Sequence, residues 1–311
     1  MGNEPVHSKP LPNAIVDAHH HLWRLDQGHY PWLQDEYDAN AFFLGDYARM
    51  CHDFGPPEYR RRTQSLPIRA TVHVEAERAR DEALAETAWL HELNSQTGMP
   101  NAVVAYADFG SPDVASALEQ QSAYPLVRGI RCKPKTSASP TSSVRNQPGT
   151  MQDERWLRGL ALLERYGLSW DLRVPFWHLS EAADVAAQFP SLPIVLNHLG
   201  LPWDRSEEGI AAWRRGMEAL ARHEQVYVKL SEMGLRDAAW NTAENARLIR
   251  DTVSIFGWQR CMFASNLPVS GLNVDMPTLI DTVSLGVEDL SEAQKQAIWH
   301  DNAVRFYRIA V

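Results

Sequence analysis

A chain of 311 residues, 44% of them hydrophobic, is long enough to bury a substantial core as one large domain or two ordinary ones. Its formal net charge of −9 argues against nucleic acids and anionic membrane surfaces as main partners, because both repel an acidic protein. Cys51, Cys132 and Cys261 are far apart and form no CxxC pattern, which argues against a disulfide framework and favours a cytoplasmic location. We also expect no signal peptide and no bilayer-spanning run.

Short apolar, β-branched runs alternate along the chain with longer amphipathic stretches. Strands are predicted over residues 15–22, 69–76, 101–109, 126–132, 168–174, 192–200, 226–234 and 260–269. Helices are predicted over residues 77–97, 112–121, 153–166, 180–189, 207–223, 240–256 and 291–307. This alternation indicates an α/β (β/α)₈ barrel in a single domain, residues 1–311. The alternative, an open doubly wound sheet, would need a glycine-rich phosphate turn after the first strand, and none stands there.

Two of the predicted connections are long. Residues 25–67 are rich in aromatics and prolines, and residues 133–152 are rich in serine, threonine and proline. Both follow a strand, so both are expected over the C-terminal face of the barrel, where long loops usually shape a site.

Polar and ionisable residues gather at the predicted strand ends. In the first strand, IVDAHHHL, alternation puts His19 and His21 on one face and turns His20 the other way, toward a helix. Any one such residue is more often structural, but together they mark the strand ends at which parallel barrels hold their active sites. The later members of the set are His73, Glu75, Arg131, Asp171, Arg173, Asn197, His198, Lys229, Ser231, Ser265 and Asn266.

Several motifs, in order along the chain, resemble the amidohydrolase superfamily. They are the His-x-His of the first strand, NHLG at residues 197–200, the Pro-Val after the eighth strand and NAVRFY at residues 302–307. The phrase HLWRLDQGHYPWL is similar to the segment after the first strand in one branch, which contains pyrone dicarboxylate lactonase, sulfomuconolactone hydrolase and the sugar-acid lactonases. The resemblance, from Ile15 to Tyr307, implies a distorted TIM barrel that hydrolyses a small ring lactone.

The resemblance also implies roles for particular residues. In metal-using members the positions of His19, His21 and His198 bind one divalent ion, and in several lactonases they polarise the lactone carbonyl without a required metal. Arg131 and Arg173 resemble arginines that hold a substrate carboxylate, a task suited to a planar guanidinium. The further candidates for substrate binding are Lys229, His73 and Trp32.

The eighth strand departs from the family pattern GSDxP, because residues 264–268 read ASNLP. The missing aspartate would act as general base and metal ligand, and the amide of Asn266 does neither well. We therefore expect zinc to bind weakly or not at all, and Glu75, with His73 beside it, is the nearest catalytic candidate for the missing base.

Three functions remain open at this point. They are hydrolysis of a carboxylated or sugar-derived lactone, metal-dependent decarboxylation or hydration of a ring carboxylate, and binding of a small ligand without catalysis. The expected partner is a small-molecule substrate in all three, and assembly into a homo-oligomer is compatible with each.

Overall fold

The computed structural model describes residues 11–311, and within them eight parallel strands form a barrel. The strands are neighbours in chain order, so β1 pairs with β2 and so on to β8. Their bounds are Ile15–His20 (β1), Ile68–Val74 (β2), Ala102–Ala105 (β3), Val127–Ile130 (β4), Ser169–Leu172 (β5), Ile194–Leu196 (β6), Val226–Leu230 (β7) and Cys261–Phe263 (β8). The predicted TIM-barrel fold is confirmed.

The barrel closes just beyond β8 rather than along it. The backbone N–H of Asn266 donates to the His19 carbonyl at 2.7 Å, and that of His21 donates to the Leu267 carbonyl at 2.8 Å. His20 and Leu267 form a parallel bridge between the two segments. The residues that close the barrel are therefore neighbours of the predicted site.

Helices follow the strands on the outside. Two of them begin at a side-chain cap, in which an oxygen of Ser206 or Asn241 accepts a backbone N–H of the first turn. Two others end at a glycine with left-handed backbone, Gly98 or Gly167. Within residues 11–311 no helix is long and apolar enough to cross a membrane. The helices are Pro31–Gln34 (α1), Pro56–Thr63 (α2), Ala83–Thr97 (α3), Val114–Ser122 (α4), Glu154–Tyr166 (α5), Leu179–Gln188 (α6), Glu207–Ala221 (α7), Thr242–Phe256 (α8), Met276–Gly286 (α9), Glu292–Gln296 (α10) and Asn302–Tyr307 (α11).

The helix prediction was incomplete in two places. The connection over residues 25–67 contains α1 and α2, and α9 was not predicted at all. The closing helix predicted over 291–307 is interrupted by a π-helical turn, Ala297–Asp301, between α10 and α11. The C-terminal segment then reaches the inner core, where Tyr307 donates a hydrogen bond to both carboxylate oxygens of Asp171 at 2.9 Å.

A bulge in β1 determines where the three consecutive histidines point. Asp17 pairs with Thr71 and His20 pairs with His73, so three steps along β1 match two along β2. An extra residue of this kind re-aims the side chains that follow it. His20 packs against Tyr59 of α2, with ring centroids 4.9 Å apart, as expected for a side chain that faces a helix.

Candidate active site

A cavity of about 370 Å³ lies at the carboxyl ends of the strands. Its walls are aromatic on the side of the connection over residues 25–67, which contributes Trp32, Phe42, Phe43 and Tyr47, and Trp203 adds a further ring. Its polar lining comes from residues that follow different strands, which are His21, Glu77, Arg131, Lys133, Arg173, His198 and Asn266.

The structure brings His19, His21 and His198 together. The Nε2 atoms of His19 and His21 are 3.3 Å apart, and the ring centroids of His19 and His198 are 4.7 Å apart. All three side chains are buried, and burial, reinforced by nearby cations, holds their pKa well below the usual histidine value. The imidazoles are therefore neutral near pH 7.

A buried ion pair selects the tautomers of two of these rings. Lys229 Nζ donates to Asp171 Oδ1 at 2.7 Å and to His19 Nδ1 at 3.3 Å. Because an ammonium group only donates, His19 Nδ1 is unprotonated and its Nε2 carries the hydrogen. That N–H faces His21 Nε2, and His21 donates from Nδ1 to the Val74 carbonyl at 2.7 Å. His19 and Lys229 thus lie directly behind the cavity wall.

His198 offers a ring nitrogen that this network does not use. It lines the cavity, and its Nδ1 is 2.9 Å from Ser231 Oγ. Its backbone is left-handed, with φ of 57°, as are Leu199, Gly200 and Leu201 after it. Left-handed backbone costs conformational free energy for residues other than glycine, and burial of the Leu199 and Leu201 side chains helps to stabilise it here.

Cations form one side of the cavity, and acidic residues hold two of them. Arg131 Nε donates to Glu75 Oε1 at 2.7 Å, and Lys133 forms an ion pair with Glu77. Burial lowers the pKa of Lys133 to about 8, although Glu77 opposes the shift. The Arg173 guanidinium lies 5.3 Å from the centre of the Phe43 ring.

The cavity wall does not include four of the predicted residues, which are His19, Lys229, Glu75 and His73. Glu75 lies behind Arg131, and its other oxygen accepts hydrogen bonds from Arg80 and from the backbone of Glu77. His73 faces the same way as His20, since the two are paired, and its Nδ1 accepts the backbone N–H of Leu22 at 3.1 Å. The predicted residues that line the cavity are His21, Trp32, Arg131, Arg173, His198 and Asn266, and His19 contacts His21.

Sequence reasoning missed five charged residues: Glu36 and Asp38 on the long connection after β1, and Glu77, Lys133 and Glu232 nearer the strand ends. Lys133 and Glu77 line the cavity, and Glu232 contacts Asn266. Glu77 and Glu232 both have left-handed backbones, with φ of 56° and 48°, so strand alternation does not predict their directions. A carboxylate directly after a strand was the signal available in the sequence.

The three imidazoles do not offer a divalent ion a ready site. A histidine ligand coordinates through an unprotonated nitrogen and usually donates its other N–H to a carboxylate or carbonyl. His19 has the opposite arrangement, since its Nδ1 faces an ammonium group and its Nε2 carries the hydrogen. Within the described residues no cluster of three or more histidine, cysteine, aspartate or glutamate side chains is arranged to hold an ion.

Comparisons with known proteins agree with this geometry. The Amidohydro_2 model, described as amidohydrolase, matches residues 16–309. The chain is 31% identical to the uncharacterized protein y4mH of Sinorhizobium fredii over 296 residues, which are 95% of this chain and 99% of that protein. It is 28% identical to the L-fucono-1,5-lactonase of Burkholderia multivorans over 306 residues, covering 94% and 96% of the two chains.

Solved structures show the same relationship. A crystal structure of an amidohydrolase from Burkholderia multivorans with bound zinc superposes with a TM-score of 0.76 at 25% identity, covering 96% of this chain and 100% of that one. Zinc is thus present in that solved structure. The match of the family model over almost the whole chain shows that this protein belongs to the amidohydrolase family and is a hydrolase.

Proposed function

We propose that the protein opens the ring ester of a small lactone that is carboxylated or derived from a sugar. One observation carries the proposal: a neutral imidazole, an amide oxygen and a row of cations line one aromatic-walled cavity. Ester hydrolysis needs a base for water and positive charge for the developing oxyanion, and these groups supply both. The likeness to the L-fucono-1,5-lactonase of Burkholderia multivorans supports a lactone as substrate.

In this proposal His198 is the general base. Its neutral Nε2 takes a proton from water as the water oxygen attacks the lactone carbonyl carbon. The ring C–O bond then breaks, and the same imidazolium returns the proton to the leaving ring oxygen, so that a hydroxy acid is released. The buried position of His198, which keeps the ring neutral, supports this role.

The cations bind and stabilise negative charge. Arg131 and Arg173 face the cavity, where they would hold a substrate carboxylate or the oxyanion of the tetrahedral intermediate. Glu75 serves in the proposal as the anchor of Arg131 rather than as a base, because both of its oxygens already accept hydrogen bonds. Lys229 keeps His19 in its tautomer from behind.

The rim favours a substrate with hydroxyl groups. Glu36 and Asp38 line the outer part of the cavity, and carboxylates there accept hydrogen bonds from sugar hydroxyls. Trp32 and Phe42 are stacked with centroids 6.0 Å apart and offer flat apolar surface to the faces of a ring.

Proton release from a panel of sugar-acid and carboxylated lactones, followed at constant pH, tests the proposal. We expect turnover of at least one lactone, and we expect His198→Ala to lower kcat by about 10²- to 10⁴-fold, the usual contribution of a general base. His223→Ala is the matched control, since His223 lies beyond the end of α7 and does not line the cavity. Release of carbon dioxide from a ring carboxylate, with no lactone hydrolysed, would instead support a decarboxylase, and binding without turnover would support a binding protein.

A further inference from the structure

We propose that Glu232 is a positioning residue for the hydrolytic reaction: it orients the side-chain amide of Asn266 so that Asn266 Oδ1 faces the cavity and holds the attacking water. This inference rests on the proposed lactone hydrolysis. It concerns two residues on neighbouring strand ends, since Glu232 follows β7 and Asn266 follows β8.

The contact between the two side chains is short and buried. Asn266 Nδ2 donates to Glu232 Oε2 at 2.6 Å, and Ser270 Oγ donates to the same oxygen at 3.0 Å. Glu232 is 3% exposed and Asn266 is 2% exposed. Burial raises the pKa of Glu232, and the hydrogen bonds from Asn266 and Ser270 and the charge of Arg173 oppose that shift. With the carboxylate ionised, the bond to Asn266 is charge-assisted and stronger than one between neutral groups.

The carboxylate permits only one orientation of the amide. If Asn266 were flipped, its Oδ1 would meet a carboxylate oxygen, and two acceptors repel each other. With Nδ2 bound to Glu232, Oδ1 has no hydrogen-bond partner among residues 11–311, although it is buried and its residue lines the cavity. A buried acceptor without a partner next to a reaction cavity requires a donor, and the attacking water supplies one.

The backbone supports the same conclusion. Glu232 and Asn266 both have left-handed backbones, with φ of 48° and 53°. For residues other than glycine this conformation costs free energy, and it recurs where side chains must point in a particular direction for function. Two such residues in side-chain contact indicate a unit that is arranged for a task.

Substitution of Glu232 by Gln tests the orientation directly. A Gln amide both donates and accepts, so Asn266 loses its preference for one orientation while the shape of the pair is kept. We expect kcat for lactone hydrolysis to fall on the order of tenfold, with KM nearly unchanged, because water is held less well and substrate contacts remain. An unchanged kcat in Glu232→Gln overturns the inference.

An exchanged pair provides the rescue. In Asn266→Asp alone, two carboxylates meet in a buried place, and we expect a larger loss of kcat than in Glu232→Gln. In Asn266→Asp/Glu232→Gln the amide donates to one aspartate oxygen and the other faces the cavity, so we expect kcat to recover on the order of tenfold over Asn266→Asp. If the fold loss of kcat in the double variant equals the product of the losses in the two single variants, the two residues do not act as a functional pair.

Ser270→Ala separates positioning from stability. It removes a hydrogen bond to the same Glu232 oxygen and leaves the contact with Asn266 in place. We expect its Tm to fall about as much as that of Glu232→Gln, with a smaller loss of kcat. Equal losses of kcat at equal losses of Tm would assign Glu232 a structural role only.

A measurement that needs no turnover keeps the inference testable by itself. The Asn266 side-chain amide gives a ¹H–¹⁵N signal pair, which is identified by its absence from Asn266→Asp. In Glu232→Gln we expect the bonded proton to shift upfield and to exchange with water about tenfold faster, because a neutral acceptor replaces a charged one. A wild type that hydrolyses no lactone would defeat the proposed function, and identical amide signals in wild type and Glu232→Gln would defeat the Glu232 inference.

Discussion

At the scale of single residues, the site depends on which atoms carry hydrogens. Lys229 selects the tautomer of His19, and Glu232 selects the orientation of Asn266. Both selecting residues are ionisable, fully or almost fully buried and absent from the cavity wall. The chemistry of the cavity therefore depends on side chains one layer behind it.

Zinc content tests the consequence of asparagine at position 266. We expect the purified protein to hold less than one equivalent of zinc and to lose it readily to a chelator, because a neutral amide attracts a cation less than a carboxylate does. Asn266→Asp should raise the zinc content, since its carboxylate and that of Glu232 would repel each other and a cation between them relieves the repulsion. Elemental analysis of both proteins after dialysis against a chelator measures this. A full, chelator-resistant equivalent in the native protein, unchanged in the variant, would show that Asn266 does not weaken the site.

The paired histidines His20 and His73 give opposite predictions for stability. Both ring nitrogens of His20 are buried without a hydrogen-bond partner in the described part of the chain, so His20→Phe should raise the free energy of unfolding by about 1 kcal/mol. His73→Phe should lower it by about 1–3 kcal/mol, because the buried N–H of Leu22 would lose its acceptor. Urea denaturation of both variants measures the two changes, and a loss of stability in His20→Phe would contradict the first.

At the scale of elements, the strands were predictable and the directions of several side chains were not. Apolar β-branched runs mark all eight strands, although the predicted runs extend past the observed ends. Alternation along β2 alone predicts His73 in the site, whereas its pairing with His20 shows that it faces the same way as His20. The sequence predicts only the closing helix after β8, whereas the structure has α9 between β8 and that helix.

The packing of α5 against the loop after β3 allows a test at this scale. A methyl group at Gly159 would lie 2.1 Å from the Phe109 carbonyl oxygen, whereas one at Gly216 of α7 would meet the Leu179 side chain at 2.7 Å. The overlap at Gly159 is the deeper one and involves backbone atoms only, so Gly159→Ala should destabilise the protein by about 1–3 kcal/mol despite the better helix propensity of alanine. Gly216→Ala should lower the free energy of unfolding by less than Gly159→Ala does. Thermal unfolding of both variants compares them, and the reverse order would contradict this packing.

At the scale of the whole molecule, the family and the barrel were predictable from motifs spread along the chain, whereas the cavity wall was not. Lys133 and Glu77 stand beyond the strand ends, where no periodicity indicates direction, and they meet only because the barrel brings β2 and β4 to one rim. Contacts between residues far apart in sequence have no local signal. The same barrel collects neutral histidines in its interior, and these affect the stability of the entire fold.

We expect stability to fall as the pH is lowered below about 6.5. His19, His20, His21 and His198 have pKa values well below the usual one because they are buried, so they stay neutral in the folded state and become protonated in the unfolded state. Their contribution is fully present above the unfolded pKa and is lost as the pH falls toward the folded values, at about 1.4 kcal/mol per pH unit for each histidine. Urea unfolding at pH 7.5 and pH 5.5 measures how steeply the free energy of unfolding changes with pH. His20→Phe should reduce that slope by the contribution of one histidine. A free energy of unfolding that does not change across this interval would contradict the expectation.

The hydrogen bonds that join β1 to the segment after β8 belong to the backbones of His19, His21 and Asn266, whose side chains form the site. Any partly unfolded form in which β1 has separated from this segment would therefore lack the histidine cluster as well. The fraction of catalytic activity that remains should therefore equal the fraction of molecules in which the barrel is closed. Heat inactivation and the loss of the first strand from the sheet should then have the same dependence on temperature.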